Sequence, residues 1–325
     1  MELNALAEAT PLAALHQWGL EVIRALQSAC PPALIAVMKG ISALGTEWFY
    51  LPVIMLVFWC VDEKKGARLG LLLILSGWST ALLKGLFRMP RPYQLDPLVG
   101  RAAESSFGFP SGHALNSLVF WAAPFRWVRR KPLYALSAAL LVILIGVSRL
   151  YLGVHFPTDI LGGWLAGGCI LSAFFAGSEI AAALLLRGGL RAQVIASAIV
   201  SWVMLMLIPG EAGLAGLMLG FGAGYAINLK WVGFKACGHI GGKRPSLLAR
   251  ALRFAGGAAG AALIYVSLKA ILPAGEASEW YRMGRFVRYG LVGLWAAACW
   301  PLLCVRFGLA AGAAAPEDDA PEGAP

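Results

Sequence analysis

Residues 133–159 read LYALSAALLVILIGVSRLYLGVHFPTD. From Leu133 to Leu152 the run is almost wholly apolar, and Arg149 stands close to its end. A helix of that length rises about 30 Å, the thickness of a bilayer's hydrocarbon core. The residues that follow include His155 and Asp159. Ionisable groups at the end of an apolar span are costly to keep in lipid, and where they persist they mark chemistry. The stretch therefore predicts a membrane-spanning helix that delivers reactive side chains at one end.

The rest of the chain agrees with a membrane setting. Of 325 residues, 59% are hydrophobic and only 14% charged, whereas a soluble domain is about half apolar and about a quarter charged. These charges are too few to cover a water-facing surface, and lipid is the solvent that accepts long apolar runs. The net charge of +10 does not point to nucleic acid. Its basic residues gather in short loops between apolar runs, as membrane topology requires, and no nucleic-acid recognition motif accompanies them. Cys30, Cys60, Cys169, Cys237, Cys299 and Cys304 form no Cys-x-x-Cys pair. They read as small buried hydrophobes rather than zinc ligands or redox pairs. The N-terminus lacks a basic start followed by an apolar core, so no cleaved signal peptide is expected.

Residues 11–29 set apolar positions at helical spacing among polar ones, which predicts an amphipathic helix lying on the bilayer. Pro31-Pro32 ends it. Residues 33–44 read as a second interfacial or half-inserted helix. Nine candidate spans follow, at 49–61, 69–87, 114–128, 133–152, 160–186, 192–208, 214–229, 254–272 and 289–305. Basic residues cluster at Lys64, Lys65 and Arg68, at Arg126, Arg129, Arg130 and Lys131, and between Lys230 and Arg253. All three clusters fall on one side of this map, the cytoplasmic side by the positive-inside rule, so the loops 88–112 and 153–159 face outward. The expected fold is all-α, a polytopic transmembrane helix bundle. Residues 1–45 supply interfacial amphipathic helices, and 46–187 form a core of about five or six helices. Residues 188–308 add a C-terminal extension of about four spans, and 309–325 form a disordered acidic tail.

Three polar blocks stand at span ends on the outer side. They are Lys84-GLFRMP-Arg91-Pro92, Pro110-Ser111-Gly112-His113 and Ser148-Arg149-LYLGV-His155-FPT-Asp159. Lys84, Arg91 and Arg149 supply three positive charges, and a guanidinium matches phosphate oxygens in bidentate fashion. Ser111 and Gly112 precede a helix start, where backbone amides can point at an anion. Together these groups form a phosphate cradle made of donors. His155 and Asp159 lie one helical turn apart, so the carboxylate can take the proton of one ring nitrogen and leave the other as a nucleophile. His113, on another span, is placed to act as general acid for a leaving alkoxide. Each residue alone has an ordinary reading as a snorkelling lysine, a head-group anchor or a helix-end histidine. The joint pattern does not.

The combination Lys-x6-Arg-Pro, Pro-Ser-Gly-His and Ser-Arg-x5-His-x3-Asp resembles the type 2 phosphatidic acid phosphatase superfamily, which is related to the vanadium haloperoxidases. The resemblance covers roughly residues 33–180 and matches every signature position. It implies an all-α bundle with its site at the outer membrane face. It assigns phosphate binding to Lys84, Arg91, Ser111, Gly112 and Arg149. His155 would be the nucleophile, Asp159 its orienter, and His113 the acid and later the base that activates water. It implies neither metal nor other cofactor, because cationic side chains take the charge-neutralising role. The implied partners are a lipid phosphate and the bilayer. No nucleic acid is implied, and a homo-oligomer is left open.

The expected reaction is hydrolysis of a membrane lipid phosphomonoester, such as phosphatidic acid, a lysolipid phosphate or a sphingoid phosphate. It would proceed through a phosphohistidine, in the plasma (inner) membrane, with the site facing outward. An undecaprenyl-type diphosphatase would need the same cradle. A haloperoxidase is disfavoured by the apolar spans, and a silent lipid-binding or transport protein by the complete motifs. Arg88, Tyr93, Gln94, Asp96, Arg101 and Glu104 in the outer loop are candidates to read a head group. The extra C-terminal spans resemble the layout of sphingosine-phosphate phosphatases. His16 and His239 carry no motif and are not expected to be catalytic, and Cys237 with His239 gives too few ligands for zinc.

Overall fold

The computed structural model describes residues 11–239, 244–272 and 279–312. These residues form helices, with one isolated antiparallel bridge between Lys235 and Ala311. The start is a bent pair, α1 (Pro11–Ala29) and α2 (Ile35–Ala43), joined by a short 3-10 turn and turned through 100°. Pro31 and Pro32 make the break, because proline removes backbone donors and fixes φ. Then come α3 (Glu47–Leu56), α4 (Glu63–Phe87), α5 (Gly112–Ala122), α6 (Lys131–Tyr151) and α7 (Pro157–Arg187). The chain continues as α8 (Gly189–Leu207), α9 (Ala212–Ile227), α10 (Leu247–Ile271), α11 (Glu279–Leu294) and α12 (Trp300–Arg306).

Among the described residues, seven helical segments are long and apolar enough to cross a membrane, or eight if the bent pair counts as one span. Seven of the nine expected spans are therefore present at full length, and two are not. Segment 49–61 belongs to the shorter apolar helix Glu47–Val61, which rises only about 22 Å. Segment 114–128 stops as an α-helix at Ala122 and passes into a 3-10 turn containing Pro124. The basic loop between Lys230 and Arg253 is described except at residues 240–243, and the expected tail lies outside the described residues from 313 onward.

The chain forms two compact units, one of Met1–Leu51 with Leu72–Glu179, the other of Pro52–Leu71 with Ile180–Pro325. The first unit buries a cluster of polar groups beside its apolar core and exposes large apolar side chains. Arg91, Ser111, Arg149, His155 and Asp159 are buried, while Leu136 and Leu165 are 70% and 72% exposed. Such an arrangement suits a lipid solvent. Helices α5 and α7 approach closely through Gly163 and Gly167. A Cβ at Gly163 would lie 2.6 Å from the Ser111 carbonyl oxygen, and one at Gly167 would lie 2.9 Å from that of Leu115. Small residues four apart permit this backbone contact in membranes, and it brings the start of α5 beside the start of α7.

The second unit is also built on small residues. Gly216 of α9 lies against the Phe286 backbone and Gly220 against that of Gly290. Contacts therefore advance in the same direction along both helices, and α9 and α11 run parallel. Arg253 is fully buried there and donates to the carbonyls of Leu309, Trp59 and Ala236.

Candidate active site

All eight residues singled out in the three blocks belong to the first unit. His155 follows the left-handed turn at Gly153, where φ is +67° and a Cβ would lie 1.9 Å from the Val99 carbonyl oxygen. Only glycine fits there. His155 Nδ1 is 3.1 Å from Asp159 Oδ2, which also accepts the Phe156 amide at 2.9 Å. The one-turn spacing thus closes as the sequence suggests. With Nδ1–H donating to Asp159, the lone pair rests on Nε2, which lies 3.3 Å from Arg91 Nη1. Burial first, then the positive charges of Arg91, Arg149 and Lys84, hold the His155 imidazole well below its ordinary value of 6.5.

The arginines are fixed on their outer edges. Arg91 donates from Nε to the Ser106 carbonyl at 2.6 Å, from Nη1 to that of Val154 at 2.8 Å, and from Nη2 to Ser106 Oγ at 3.0 Å. Arg149 donates from Nη1 to Ser42 Oγ at 2.7 Å, while Nη2 meets the Glu104 carboxylate. Its Nε is buried without a partner among the described residues. Glu104 Oε2 also lies 4.0 Å from Arg91 Nη2, so one carboxylate sits between two guanidinium groups. The Glu104 backbone is pinned, because Tyr93 Oη donates to its carbonyl at 2.7 Å. Lys84 Nζ donates to the carbonyls of Phe107 and Gly108, within electrostatic reach of Arg91, Asp159, Glu104 and Arg149.

Ser111 caps α5, its Oγ accepting the Ala114 amide at 3.4 Å. Its own amide donates to the Asp159 carbonyl at 3.0 Å, so that N–H ties α5 to α7 instead of pointing at an anion. Gly112 opens α5 against the Thr80 side chain, and His113 follows it beside Gly45. The expected head-group readers separate. Arg88 and Gln94 line a cleft of about 320 Å³ with Pro90, Ser105, Ser106 and Phe107. Asp96 pairs with Arg24 at 2.7 Å, and Arg101 lies over the Tyr151 ring at 4.3 Å, so both serve the packing of α1 against the core. Hydrogen bonding from Arg24 holds the Asp96 carboxyl below its ordinary value.

Sequence reasoning missed Ser42 and Ser106, which hold the two arginines, and gave Glu104 no place in the cradle. None of them belongs to a motif. The N-terminal pair also reaches the loop that carries His155, where His16 stacks on Phe156 at 4.8 Å between ring centres.

Comparison with known proteins places this arrangement. A model of the PAP2 superfamily matches residues 65–182, and a second, the PAP2 superfamily phosphatase transmembrane extension, matches residues 212–312. The chain is 36% identical to phosphatidylglycerophosphatase B of Bacillus subtilis, over 42% of this chain and 71% of that protein. It is 27% identical to undecaprenyl-diphosphatase of Sulfolobus acidocaldarius, over 42% of this chain and 67% of that one. It is 29% identical to mouse sphingosine-1-phosphate phosphatase 1, over 41% of this chain but only 33% of the relative. A crystal structure of a transmembrane PAP2-type phosphatidylglycerolphosphate phosphatase from Bacillus subtilis superposes with a TM-score of 0.47 and 29% identity, over 54% of this chain and 90% of that one. Apolar spans around a histidine–aspartate pair and a cluster of fixed cations define an integral membrane phosphatase. The chain belongs to the PAP2 superfamily.

Proposed function

We propose that the chain hydrolyses a membrane lipid phosphomonoester through a phosphohistidine on His155. The observation that carries this reading is the His155 ring, held by Asp159 on one nitrogen and facing Arg91 with the other. Arg91, Arg149 and Lys84 bind the phosphoryl oxygens, with Ser111 and Gly112 at the start of α5. Nε2 of His155 attacks phosphorus as the phosphorus–alkoxide oxygen bond breaks, and His113 gives its proton to the leaving alkoxide. His113 then takes a proton from water, whose oxygen attacks the phosphohistidine. The nitrogen–phosphorus bond breaks, and the products are an alcohol and inorganic phosphate.

Metal independence is part of the reading. Charge neutralisation falls to the cationic side chains, and the two nearby carboxylates are engaged, Asp159 by His155 and Glu104 by Arg149. The basic cluster Lys64, Lys65 and Arg68, at the opposite end of the full-length span α4 from the loop 88–112, supports a site on the extracytoplasmic side of the plasma membrane. Single cysteines at Gln94 and Lys65 should then label from opposite sides, Gln94 from outside; labelling of both from one side would refute the span between them, and Gln94 labelling from the cytoplasm would reverse the placement.

The relatives' activities support sphingoid phosphate and phosphatidylglycerophosphate as substrates beside phosphatidic acid, which the motifs suggest, and the 27%-identical diphosphatase supports a polyprenyl diphosphate as the second reading. The deciding experiment is phosphate release by purified protein in detergent with chelator present, across those four lipids. Turnover of a monophosphate that survives the chelator and is blocked by vanadate is expected. Turnover restored only by magnesium would end the metal-independent reading, and preference for the diphosphate would favour the second.

A further inference from the structure

The C-terminal unit buries an arginine that no carboxylate among the described residues pairs with. Arg288 of α11 is 7% exposed, and its Nε is buried without a hydrogen-bond partner. Its guanidinium carbon lies 4.9 Å from the centre of the Tyr265 ring on α10 and 5.6 Å from that of Tyr289. One turn earlier, Arg285 donates from Nη1 to the Gly210 carbonyl at 3.1 Å. Among the described residues neither arginine has a carboxylate within ion-pair distance. Glu211 is the carboxylate whose charge Arg285 feels.

Two positive charges one turn apart in an apolar span are expensive to hold. The tyrosine faces attract a cation but give its N–H groups no acceptor. Elsewhere in this unit the protein solves the same problem differently, because Arg253 donates to three backbone carbonyls. Arg288, by contrast, leaves its buried Nε without a hydrogen-bond partner among the described residues. Guanidinium groups in this state match an anion of tetrahedral oxygens, and basic pockets between transmembrane helices are a recurring form of head-group site.

We propose that Arg285 and Arg288, walled by Tyr265 and Tyr289, form a second anion-binding site that takes a phosphate group. The phosphate comes either from an anionic phospholipid head group or from free phosphate. The site lies wholly in the extension, uses none of the three catalytic blocks, and does not depend on the reading of His155.

The test uses the full chain purified in neutral detergent and follows its thermal unfolding. Short-chain phosphatidylglycerol, a diester that a monoesterase leaves intact, should raise the midpoint by about 2–4 °C. Phosphatidylcholine should not. In Arg288→Gln the shift should vanish, with hydrolysis of p-nitrophenyl phosphate within about twofold of wild type. Arg285→Gln, at a less buried position, makes the same comparison if Arg288→Gln does not fold. An equal shift with inorganic phosphate, lost in the same variants, supports the site and names the free anion as its ligand. A phosphatidylglycerol shift of the same size in wild type and both variants, or none in wild type, overturns the proposal.

Discussion

His155 and His113 are the same residue type in different surroundings, and their removal should fail differently. His155 carries Asp159 on Nδ1, so His155→Ala should form no acid-labile phosphoprotein from any substrate. His113→Ala loses the proton for the leaving group, a loss of about 10²–10⁴-fold for an alkyl phosphate. An aryl phosphate leaves as a stabilised anion and should keep much more of that first step. Rapid-quench detection of phosphoprotein with each substrate decides, and equal loss for both in His113→Ala would remove the acid role.

The pH dependence of this step follows from the lowered His155 value. His155 stays unprotonated as pH falls through 6.5, so if it is the nucleophile, phosphoprotein should still form from the aryl substrate at about pH 5.5. An acid limb at the ordinary imidazole value would show that His155 titrates freely. In the unfolded chain the same histidine takes its proton near 6.5, so the folded state loses stability below that pH, down to the depressed folded value, and has all of it above. Ser42→Ala removes a bond to the Arg149 guanidinium, of a kind worth about 1.5–3 kcal/mol. Vanadate should then inhibit about tenfold less well, and Ser42→Thr should recover part of the loss. The contact of His155 with Asp159 was legible because their spacing is local to one turn. Ser42 was not, because its partner Arg149 is far away in sequence and only packing joins them.

At the scale of helices, the spans were readable from apolar runs, and the errors came where a run was apolar for another reason. The stretch 114–128 is apolar because α5 packs within the first unit, where Ala114, Leu115 and Val119 are buried. It does not have the length of a span. The contact of α5 with α7 rests on Gly163, and Gly163→Leu should separate the two helices. The expected cost is about 1–3 kcal/mol, read as a lower unfolding midpoint in detergent together with loss of vanadate inhibition. An unchanged midpoint with normal activity would show that the close approach is not needed to hold Ser111 against Asp159.

For the molecule as a whole, the division into two units has a feature no sequence pattern reveals. Pro52–Leu71 belongs with the C-terminal helices. Trp59 is fully buried and donates to the Ala296 carbonyl at 2.9 Å, while Arg253 donates to its carbonyl. Truncation after Gly188 removes both partners yet keeps every residue of the three blocks. The shortened chain should therefore retain vanadate-sensitive hydrolysis of p-nitrophenyl phosphate while unfolding at a markedly lower temperature. A shortened protein as stable as the full chain would show that the Trp59 contacts contribute nothing. One that folds but turns over no substrate would show that the extension takes part in the chemistry.

Glu104 already holds the two arginines proposed to bind phosphate. A carboxylate fixed between Arg149 and Arg91 is a tethered ligand, present at an effective concentration in the millimolar range for a short tether. If Arg91 and Arg149 bind the substrate as proposed, an incoming group competes with it. A singly charged anion brings no more charge than the one it replaces, whereas a phosphomonoester dianion brings twice as much, so the site screens by charge number before it screens by shape. The same tether speeds the return journey, because the carboxylate is always at hand to take the arginines back as the freed phosphate departs.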